Sequence, residues 1–352
     1  MTADDADVDH LFTIDEFEEE ARSRLEASVY EYIASGAGDD DTLHHNRRSL
    51  ERWRVLPRAM VDVTEVSTGS TVLGRPSSLP LLIAPSALQR LSHPDGEMAM
   101  ARAAGAAGIP MILSMNASTP LEEVAASGAA TWLQLYIYRD RQVTEDLVAR
   151  ATSAGMDALC ITVDHAVLPW RVRELRRPLQ IPEGVEFVHL PPDRQAGATE
   201  TALTWDLIEW LRSMTPLRIV LKGILDPTDA VLAAEHGVDA IIVSNHGGRQ
   251  LAGSVSAWDM LPAIADRVGD GLEILADGGV RSGVDLFRAL ALGADAALIG
   301  RPAVWGLATA GEAGVTRVLQ LLAGEFTSAL GSTGCRTPAE IQRDRLVAAP
   351  CT

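Results

Sequence analysis

Eight short apolar segments recur along the chain, and helix-like stretches separate most of them. Each segment has the length of a strand and is rich in isoleucine, leucine and valine without polar alternation, which is typical of parallel strands buried on both faces. The segments cover residues 79–86, 110–115, 131–138, 158–165, 217–224, 240–247, 272–279 and 296–301. Several of the intervening stretches end in glycine, a usual helix C-terminus. Eight such units predict an α/β fold, a closed (β/α)8 TIM barrel, with a doubly wound open sheet as the alternative.

The 352 residues are predicted to form one domain with three parts. Residues 1–78 form an N-terminal helical extension, in which Thr13 caps a helix that begins in TIDEFEEE. Residues 79–330 form the barrel, and residues 331–352 form a C-terminal tail. The connection after the fourth strand is long and contains five prolines. We expect this loop to lie over the face of the barrel where active sites form.

Composition narrows the class of protein. The net charge of −18 disfavours binding to nucleic acid or to an anionic membrane. No apolar run reaches membrane-spanning length, and the first residues, MTADDADVDH, lack the regions of a signal peptide, so a cytoplasmic protein is predicted. Cys160, Cys335 and Cys351 are too far apart for a zinc motif and indicate a reducing compartment, with Cys160 packed in the core. The neighbours His44 and His45 are predicted to lie on a solvated helix surface, so no metal site is expected.

Polar side chains lie at the end of every predicted strand. A single polar group at a strand end usually forms a hydrogen bond with the backbone of the loop. Polar groups at all eight strand ends instead indicate an active site at the carboxyl end of a barrel. Residues two apart on a strand share a face, so several of these side chains are expected to point the same way in pairs. The residues are Ser86, Ser114, Gln134, Tyr136, Thr162, Asp164, Lys222, Ser244, His246, Asp277, Gly300 and Arg301.

Two glycine-containing segments follow the last two predicted strands: ADGGVRSG at 276–283 and LIGRP at 298–302. Backbone N–H groups beside glycine can approach an anion, and Arg281 and Arg301 can add charge-assisted hydrogen bonds. Phosphate sites of such barrels lie after strands seven and eight. The segments therefore predict a phosphate-bearing cofactor at the barrel mouth, with simple tight turns as the alternative.

The chain also contains, in order, YEYIASGAGDD, QLYIY, TVD, LKG, SNHGGRQL, LADGGVRSG and IGRP. Together these segments resemble the FMN-dependent 2-hydroxy acid oxidase and dehydrogenase family, which includes glycolate and lactate oxidases, mandelate dehydrogenases and hydroxymandelate oxidases. The resemblance runs from about residue 14 to residue 341. It implies FMN as cofactor, oxidation of an L-2-hydroxy acid to the 2-keto acid, and reoxidation by oxygen or another acceptor. It also implies a homotetramer or homo-octamer.

The resemblance implies catalytic roles for five residues. His246 would remove a proton from the substrate, and Asp164 would stabilise the resulting imidazolium. Lys222 would stabilise the negative charge of reduced flavin, while Tyr136 and Arg249 would bind the reacting acid. The substrate-binding set is Tyr32, Tyr136, Arg171, Arg249 and Asn116.

The resemblance also implies a set of FMN-binding residues. Some would lie along the flavin ring or bond its polar edge, Asp277 would take the ribityl chain, and the glycines and arginines of the last two segments would take the phosphate. The residues are Pro85, Ser86, Ala87, Ser114, Gln134, Thr162, Lys222, Ser244, Asp277, Gly278, Gly279, Arg281, Gly300 and Arg301.

Three positions depart from the family pattern. Ala252 stands where the family usually has aspartate, which predicts the loss of a buried support for the loop of Arg249. Pro169 stands where many members have a glycine two residues before the arginine, so the shape of that loop is left open. Asn116 leaves the size of the substrate pocket open.

The segments QRLSHPDGE, VLKGIL and VWGLATAGEAGV are similar to those of mandelate and hydroxymandelate oxidases and favour an aromatic acid. Glycolate or lactate is the alternative substrate. A flavin-dependent isomerase is a further alternative, which the paired arginines disfavour. A flavin-binding protein that has lost catalysis is suggested only by Ala252 and the altered loop.

Overall fold

The computed structural model describes residues 7–190 and 199–349. Three predicted features therefore lie partly or wholly outside the described residues. They are the first six residues of the N-terminal extension, residues 191–198 of the long loop, and Cys351.

Strands form where the apolar segments predict them. The described residues contain β1 (Trp53–Val55), β2 (Ser70–Val72), β3 (Arg75–Ser77), β4 (Leu81–Ile83), β5 (Met111–Ser114), β6 (Thr131–Leu135), β7 (Ala158–Thr162), β8 (Arg218–Ile224), β9 (Ala240–Val243), β10 (Glu273–Asp277), β11 (Ala296–Ile299) and β12 (Leu346–Ala348). Strands β4 to β11 pair in parallel and in sequence, and β11 pairs with β4 to close the sheet. The predicted (β/α)8 barrel is confirmed, and the open sheet is wrong.

Helices surround the barrel. They are α1 (Ile14–Arg24), α2 (Ala27–Ala34), α3 (Asp41–Glu51), α4 (Gly96–Ala107), α5 (Leu121–Ala125), α6 (Arg141–Ser153), α7 (Val172–Arg176), α8 (Asp206–Met214), α9 (Pro227–Glu235), α10 (Ala257–Val268), α11 (Gly283–Ala291) and α12 (Arg301–Thr333). Thr13 caps α1 in a capping box with Glu16, as predicted. On α3, His44 is exposed as predicted, whereas His45 lies 2.8 Å from a carboxylate oxygen of Asp259. Within the described ranges no helix is long and apolar enough to cross a lipid bilayer.

Alternate residues of the barrel strands fill its interior. The hairpin of β2 and β3 adds Val72 and Leu73 at the end where the strands begin. Cys160 is completely buried in this cluster, as predicted, and burial raises the pKa of its thiol to about 12. The interior is therefore dry, and the polar chemistry is left to the ends of the strands. The cluster comprises Val72, Leu73, Leu82, Ala84, Ile112, Trp132, Ala158, Cys160, Val220, Ala240, Ile242, Leu275, Ala296 and Leu298.

The N-terminal and C-terminal regions are joined to each other and to the barrel. Strands β1 and β12 pair antiparallel, with Trp53 opposite Ala348. Helix α1 packs along α12, which changes direction at Ala310 and Gly311. Helices α2 and α3 are thereby held close to the carboxyl ends of the barrel strands.

Helix α11 begins against α12 at a point with no room for a side chain. A Cβ added to Gly283 would lie 2.1 Å from the backbone nitrogen of Phe326 and 2.4 Å from the carbonyl oxygen of Leu322. Gly283 also donates its N–H to Glu325 over 2.7 Å. Close packing of backbone on backbone thus fixes the angle between the two helices.

We expect Gly283→Ala to lower the free energy of unfolding by about 1–3 kcal/mol, because neither backbone can move without repacking both helices. The control is Gly324→Ala on the same helix α12, where a new Cβ meets nothing within 4 Å and should be neutral or stabilising. Urea denaturation followed by circular dichroism measures both. Equal stability of the two variants would contradict the packing described here.

Candidate active site

A cavity of about 460 Å³ opens at the carboxyl ends of the barrel strands. Nearly all of the predicted site residues line it, so the structure brings together what the sequence scatters over more than 250 positions. The lining residues include Tyr32, Pro85, Ser86, Ala87, Ser114, Asn116, Gln134, Tyr136, Thr162, Arg171, Lys222, His246, Arg249, Asp277, Gly278, Gly279, Arg281, Gly300 and Arg301. Asp164 and Ser244 lie behind this wall and contact residues that form it.

His246 forms the best-defined pair of the site. Its Nδ1 lies 3.1 Å from Oδ1 of Asp164, and its backbone N–H donates to the Ser244 hydroxyl over 2.9 Å. Its φ is +60°, which is unfavourable for a residue with a side chain. The chain can turn here because the next residues are glycines. Gly248 has φ +79°, and a Cβ on it would lie 2.6 Å from the backbone nitrogen of Leu43 on α3.

Burial sets the protonation of the pair. It lowers the pKa of His246 below its ordinary value, against the opposing effect of Asp164. Burial also tends to raise the pKa of Asp164, but the charge and hydrogen bond of His246 leave that pKa below its ordinary value. A neutral imidazole beside a carboxylate is a general base whose protonated form is stabilised in advance.

Asp164 fits against the next strand, β8, because that strand has a glycine at the point of contact. Gly223 of β8 has φ +111°, and a Cβ there would lie 2.5 Å from Cβ of Asp164. The pairing of β8 with β9 shifts register between Lys222 and Ile224, so the glycine sits in an irregular stretch of strand. Among the described residues, Oδ2 of Asp164 has no hydrogen-bond partner, so its bond to His246 is the main specific contact of the carboxylate.

Lys222 is buried and paired. Its Nζ lies 3.0 Å from Oδ2 of Asp277 and donates to the Ser244 hydroxyl over 2.9 Å. Ser244 in turn donates to Oδ1 of Asp277 over 2.6 Å. Burial opposes the ammonium charge, but Asp277 outweighs it and the pKa of Lys222 is raised. Both carboxylate oxygens of Asp277 are thus engaged within the protein.

A second polar chain crosses the cavity wall. The Ser114 hydroxyl donates to Oε1 of Gln134 over 3.1 Å, and Nε2 of Gln134 donates to the Thr162 hydroxyl over 3.0 Å. These three residues come from the neighbouring strands β5, β6 and β7. The chain presents both donors and acceptors along one side of the cavity, as the polar edge of a heteroaromatic ring requires.

Two arginines that line the cavity lie together. Arg171 donates from Nε to the carbonyl of Arg249 over 3.1 Å, and Arg249 donates from Nη1 to the carbonyls of Tyr32 and Ser35 over 2.7 Å each. Glu174 pairs with both guanidiniums, at 3.1 Å from Arg171 and 3.0 Å from Arg249. Burial and the nearby Arg171 lower the pKa of Arg249.

The charges at one part of the cavity fit a bound phosphate. Arg281 and Arg301 are partly buried, and neither guanidinium forms an ion pair with any part of the chain that is described. Burial and the guanidiniums of Arg249 and Arg281 lower the pKa of Arg301 well below its ordinary value. The Arg301 guanidinium donates hydrogen bonds to the carbonyls of Ile33, Gly247 and Ser35. Within the described residues, the Arg281 guanidinium donates only to the carbonyl of its neighbour Val280. An anion would offset this excess of partly buried positive charge.

The N-terminus of α12 points to the same position. Gly300 is its N-cap and supplies no side-chain hydrogen bond, so the first N–H groups of a long helix lack a capping side chain. Gly278, Gly279 and Arg281 line the adjoining part of the cavity. Helix N–H groups, glycine backbone and a guanidinium without a counter-charge are the donor set that a phosphate monoester needs.

The three departures from the family pattern have different outcomes. Ala252 is exposed, and the neighbouring loop is held instead by the Thr42 hydroxyl, which donates to the carbonyl of Leu251 over 2.8 Å. The loss of a support at position 252 stays a prediction. Pro169 and Asn116 both line the cavity. The loop of Pro169 is fixed where Gly38 donates its N–H to the carbonyl of Trp170 over 2.7 Å.

Glu174 and His165 are polar residues of the site that were not predicted from the sequence. Glu174 lies on α7, three positions after the N-cap residue Arg171, and this spacing of opposite charges could have indicated the pair. His165 lines the cavity, with its ring 4.9 Å from that of Tyr136 and 6.3 Å from that of His246. Alternation along a strand would turn His165 away from Asp164, but β7 ends at Thr162 and alternation no longer applies.

Comparison with known proteins agrees with this geometry. The profile of the FMN-dependent dehydrogenase family matches residues 21–348. An L-lactate oxidase of Nostoc sp. is 46% identical over 341 residues, which cover 91% of this chain and 93% of the relative. A 4-hydroxymandelate oxidase of Amycolatopsis orientalis is 42% identical over 93% of this chain and 96% of the relative. Human 2-hydroxyacid oxidase 1 is 40% identical over 95% of each chain.

Solved structures give the same result. The structure of a mandelate oxidase mutant with (S)-mandelic acid is 42% identical and superposes with a TM-score of 0.90, covering 96% of this chain and 98% of the other. The structure of mandelate oxidase with benzoyl-formic acid gives the same values. The chain therefore belongs to the FMN-dependent dehydrogenase family and is an FMN-dependent oxidoreductase of the 2-hydroxy acid oxidase type.

Proposed function

We propose that this enzyme oxidises an L-2-hydroxy acid to the corresponding 2-keto acid, with oxygen or another acceptor taking the electrons afterwards. The observation that supports this reaction is the position of the His246 and Asp164 pair on a cavity that Arg171 and Arg249 also line. A base and a carboxylate clamp on one cavity suit a substrate that has a carboxylate next to a proton-bearing carbon.

FMN, when bound, supplies an acceptor for the two electrons that leave the substrate. Arg281 with Gly279 and the start of α12 would hold its phosphate, because these groups offer donors without a counter-charge. The chain of Ser114, Gln134 and Thr162 would bond the polar edge of its ring. Pro85, Ser86 and Ala87 would lie along the ring.

Lys222 would lie beside the part of the ring that gains negative charge. Because the ammonium is already held in place, it can stabilise a negative charge that develops next to it without any rearrangement of the protein. Because Asp277 already binds Lys222 and Ser244, we assign Asp277 to holding the ammonium in place. Contact of Asp277 with the ribityl chain stays a prediction.

His246 would take a proton from the substrate at Nε2, since Nδ1 faces Asp164. The imidazolium formed in this step is stabilised by a carboxylate that already lies 3.1 Å away. Burial raises the pKa of the Tyr136 hydroxyl, so Tyr136 stays protonated and can donate to the substrate hydroxyl oxygen. Tyr32, whose ring lies 5.3 Å from the Arg249 guanidinium, would complete the carboxylate site.

For the substrate side chain we propose an aromatic group. Tyr136, His165, Leu168 and Pro169 give the cavity aromatic and apolar surface beside His246, and Asn116 adds one polar group. Several solved relatives of this fold are described as mandelate oxidase. A small aliphatic acid is the second candidate, because the L-lactate oxidase of Nostoc sp. is 46% identical. Residence in the cytoplasm and a homotetramer or homo-octamer stay predictions.

The loss-of-catalysis alternative has little to support it. It depended on Ala252, which is exposed, and on the loop of Pro169, which is tied to Gly38. The ionisable groups that the proposed reaction uses line the cavity or contact its wall, which supports an active enzyme.

We expect the FMN-loaded protein to lose its yellow colour when mixed anaerobically with (S)-mandelate, and more slowly with L-lactate or glycolate. His246→Gln should slow this reduction by about 10²–10⁴-fold, because it removes the general base, while FMN stays bound. The matched control is His44→Gln, the same change at an exposed histidine of α3. Stopped-flow absorbance of the flavin measures the rates. No reduction by any short, branched or aromatic 2-hydroxy acid would refute the proposed reaction, and a faster rate with L-lactate would favour the aliphatic candidate.

The pH dependence follows from the lowered pKa of His246. The base works only when neutral, so kcat/KM should stay level as the pH falls to 6.5, the ordinary histidine value, and decline below it. In Asp164→Asn the imidazole loses the carboxylate that favours its charged form. The decline should therefore move to lower pH, and kcat should fall as the imidazolium is no longer stabilised. A decline that begins above pH 7 in the wild type would contradict the assignment.

Removal of Arg281 tests the phosphate site. Arg281→Met should weaken FMN binding by about 10- to 100-fold, the cost of a charge-assisted hydrogen bond, but should change riboflavin binding little because riboflavin has no phosphate. Arg267→Met on the exposed side of α10 is the control. Quenching of flavin fluorescence gives both affinities. Equal loss for FMN and riboflavin would place the phosphate elsewhere.

A further inference from the structure

Glu174 occupies the junction of the two arginines that line the substrate end of the cavity. Its Oε1 accepts from Nη1 of Arg171 over 3.1 Å and from Nη2 of Arg249 over 3.0 Å. Oε2 lies 3.3 Å from the same Nη1 of Arg171. The side chains of the three residues are 14–21% exposed, so water screens their charges only in part.

The glutamate is itself held in place from the N-terminal extension. The Ser35 hydroxyl donates to Oε1 over 2.9 Å. The next residue toward the N-terminus, Arg173, pairs with Glu31 and with Asp40 at 2.9 Å, which docks α7 on α2 and the turn that follows it. The carboxylate of Glu174 is thus fixed from both sides and cannot easily leave the arginines.

The contacts of Glu174 decide which donors remain for a ligand. Arg249 donates from Nη1 to two backbone carbonyls and from one N–H of Nη2 to Glu174. Arg171 donates from Nε to a backbone carbonyl and from Nη1 to Glu174. In the described chain no hydrogen bond uses Nη2 of Arg171 or Nε of Arg249, so these groups remain free. Two free donor groups on neighbouring guanidiniums suit the two oxygens of one carboxylate.

Glu174 also sets the charge of this site. Two guanidiniums and one carboxylate leave a single net positive charge. That charge balances one carboxylate, whereas a second carboxylate on the same ligand would enter without a counter-charge. Without Glu174 the two guanidiniums would repel each other and present two positive charges to the cavity.

We propose that Glu174 is a positioning residue that sets the separation of Arg171 and Arg249 and makes their site selective for monocarboxylates over dicarboxylates. The inference rests on the proposed function, because it takes these arginines as the substrate carboxylate site. Glu174 acts through the arginines and touches no reacting atom.

The test uses the FMN-loaded enzyme and two inert ligands of similar size, isobutyrate with one carboxylate and malonate with two. Isothermal titration calorimetry gives both dissociation constants, and steady-state assays give kcat and KM. In the wild type, malonate is expected to bind no more tightly than isobutyrate. In Glu174→Gln, malonate should gain about tenfold relative to isobutyrate, and kcat/KM for the hydroxy acid should fall about tenfold through a rise in KM.

Two further variants separate charge from shape. Glu174→Asp keeps the negative charge on a shorter stem, so it should weaken both ligands yet hold their ratio within about threefold of the wild type. Glu183→Gln removes the same charge from an exposed position on the same loop and should change nothing. An unchanged ligand ratio in Glu174→Gln, or the same shift in Glu174→Asp or Glu183→Gln, would overturn the proposal.

The two proposals fail in different ways. If no 2-hydroxy acid reduces the wild-type flavin, the proposed function fails, whatever the ligand ratio. If the flavin is reduced but the ratio does not move in Glu174→Gln, only the role of Glu174 fails. Should Glu174→Gln not fold, the wild type still decides, because tighter binding of malonate than of isobutyrate would contradict a site with one net positive charge.

Discussion

Charge balance at the mouth of the barrel governs the arrangement of this site. A buried charge is tolerated only when an opposite charge lies beside it. Lys222 has Asp277, His246 has Asp164, and the pair of Arg171 and Arg249 shares Glu174. Asp277 and Asp164 come from the ends of other strands than the cations they pair with, and Glu174 joins Arg171 of its own segment to Arg249 after β9, so the pairs also hold the strand ends together.

The exceptions to this balance are as informative as the pairs. The guanidiniums of Arg281 and Arg301 are partly buried without a carboxylate partner among the described residues, and the first turn of α12 has no capping side chain. A protein that pairs its other buried cations so closely would be destabilised by these two unless an anion joined them. The phosphate of FMN is an anion of the right chemistry, and it would bind where the folded protein has the greatest need for negative charge.

The sequence was sufficient for the barrel and for most of the cavity wall, because parallel strands carry their polar tips to one end in a fixed way. It was insufficient where position depends on packing between elements. Gly223 makes room for Asp164 only because β8 shifts register at that point. Glu174 reaches Arg249 only because α7 docks on the N-terminal extension. His165 faces the cavity because the strand has already ended.

The N-terminal extension completes the chemistry that the barrel begins. The carbonyls of Ile33 and Ser35 accept hydrogen bonds from Arg301, and the carbonyls of Tyr32 and Ser35 accept from Arg249. Backbone acceptors fix the direction of a guanidinium without cancelling its charge, which a carboxylate would do. The extension thus orients two arginines while leaving their charge available to anions. The barrel supplies the base and the ammonium, whereas the orientation of Arg249 and Arg301 depends on residues 32–35, which lie outside the barrel.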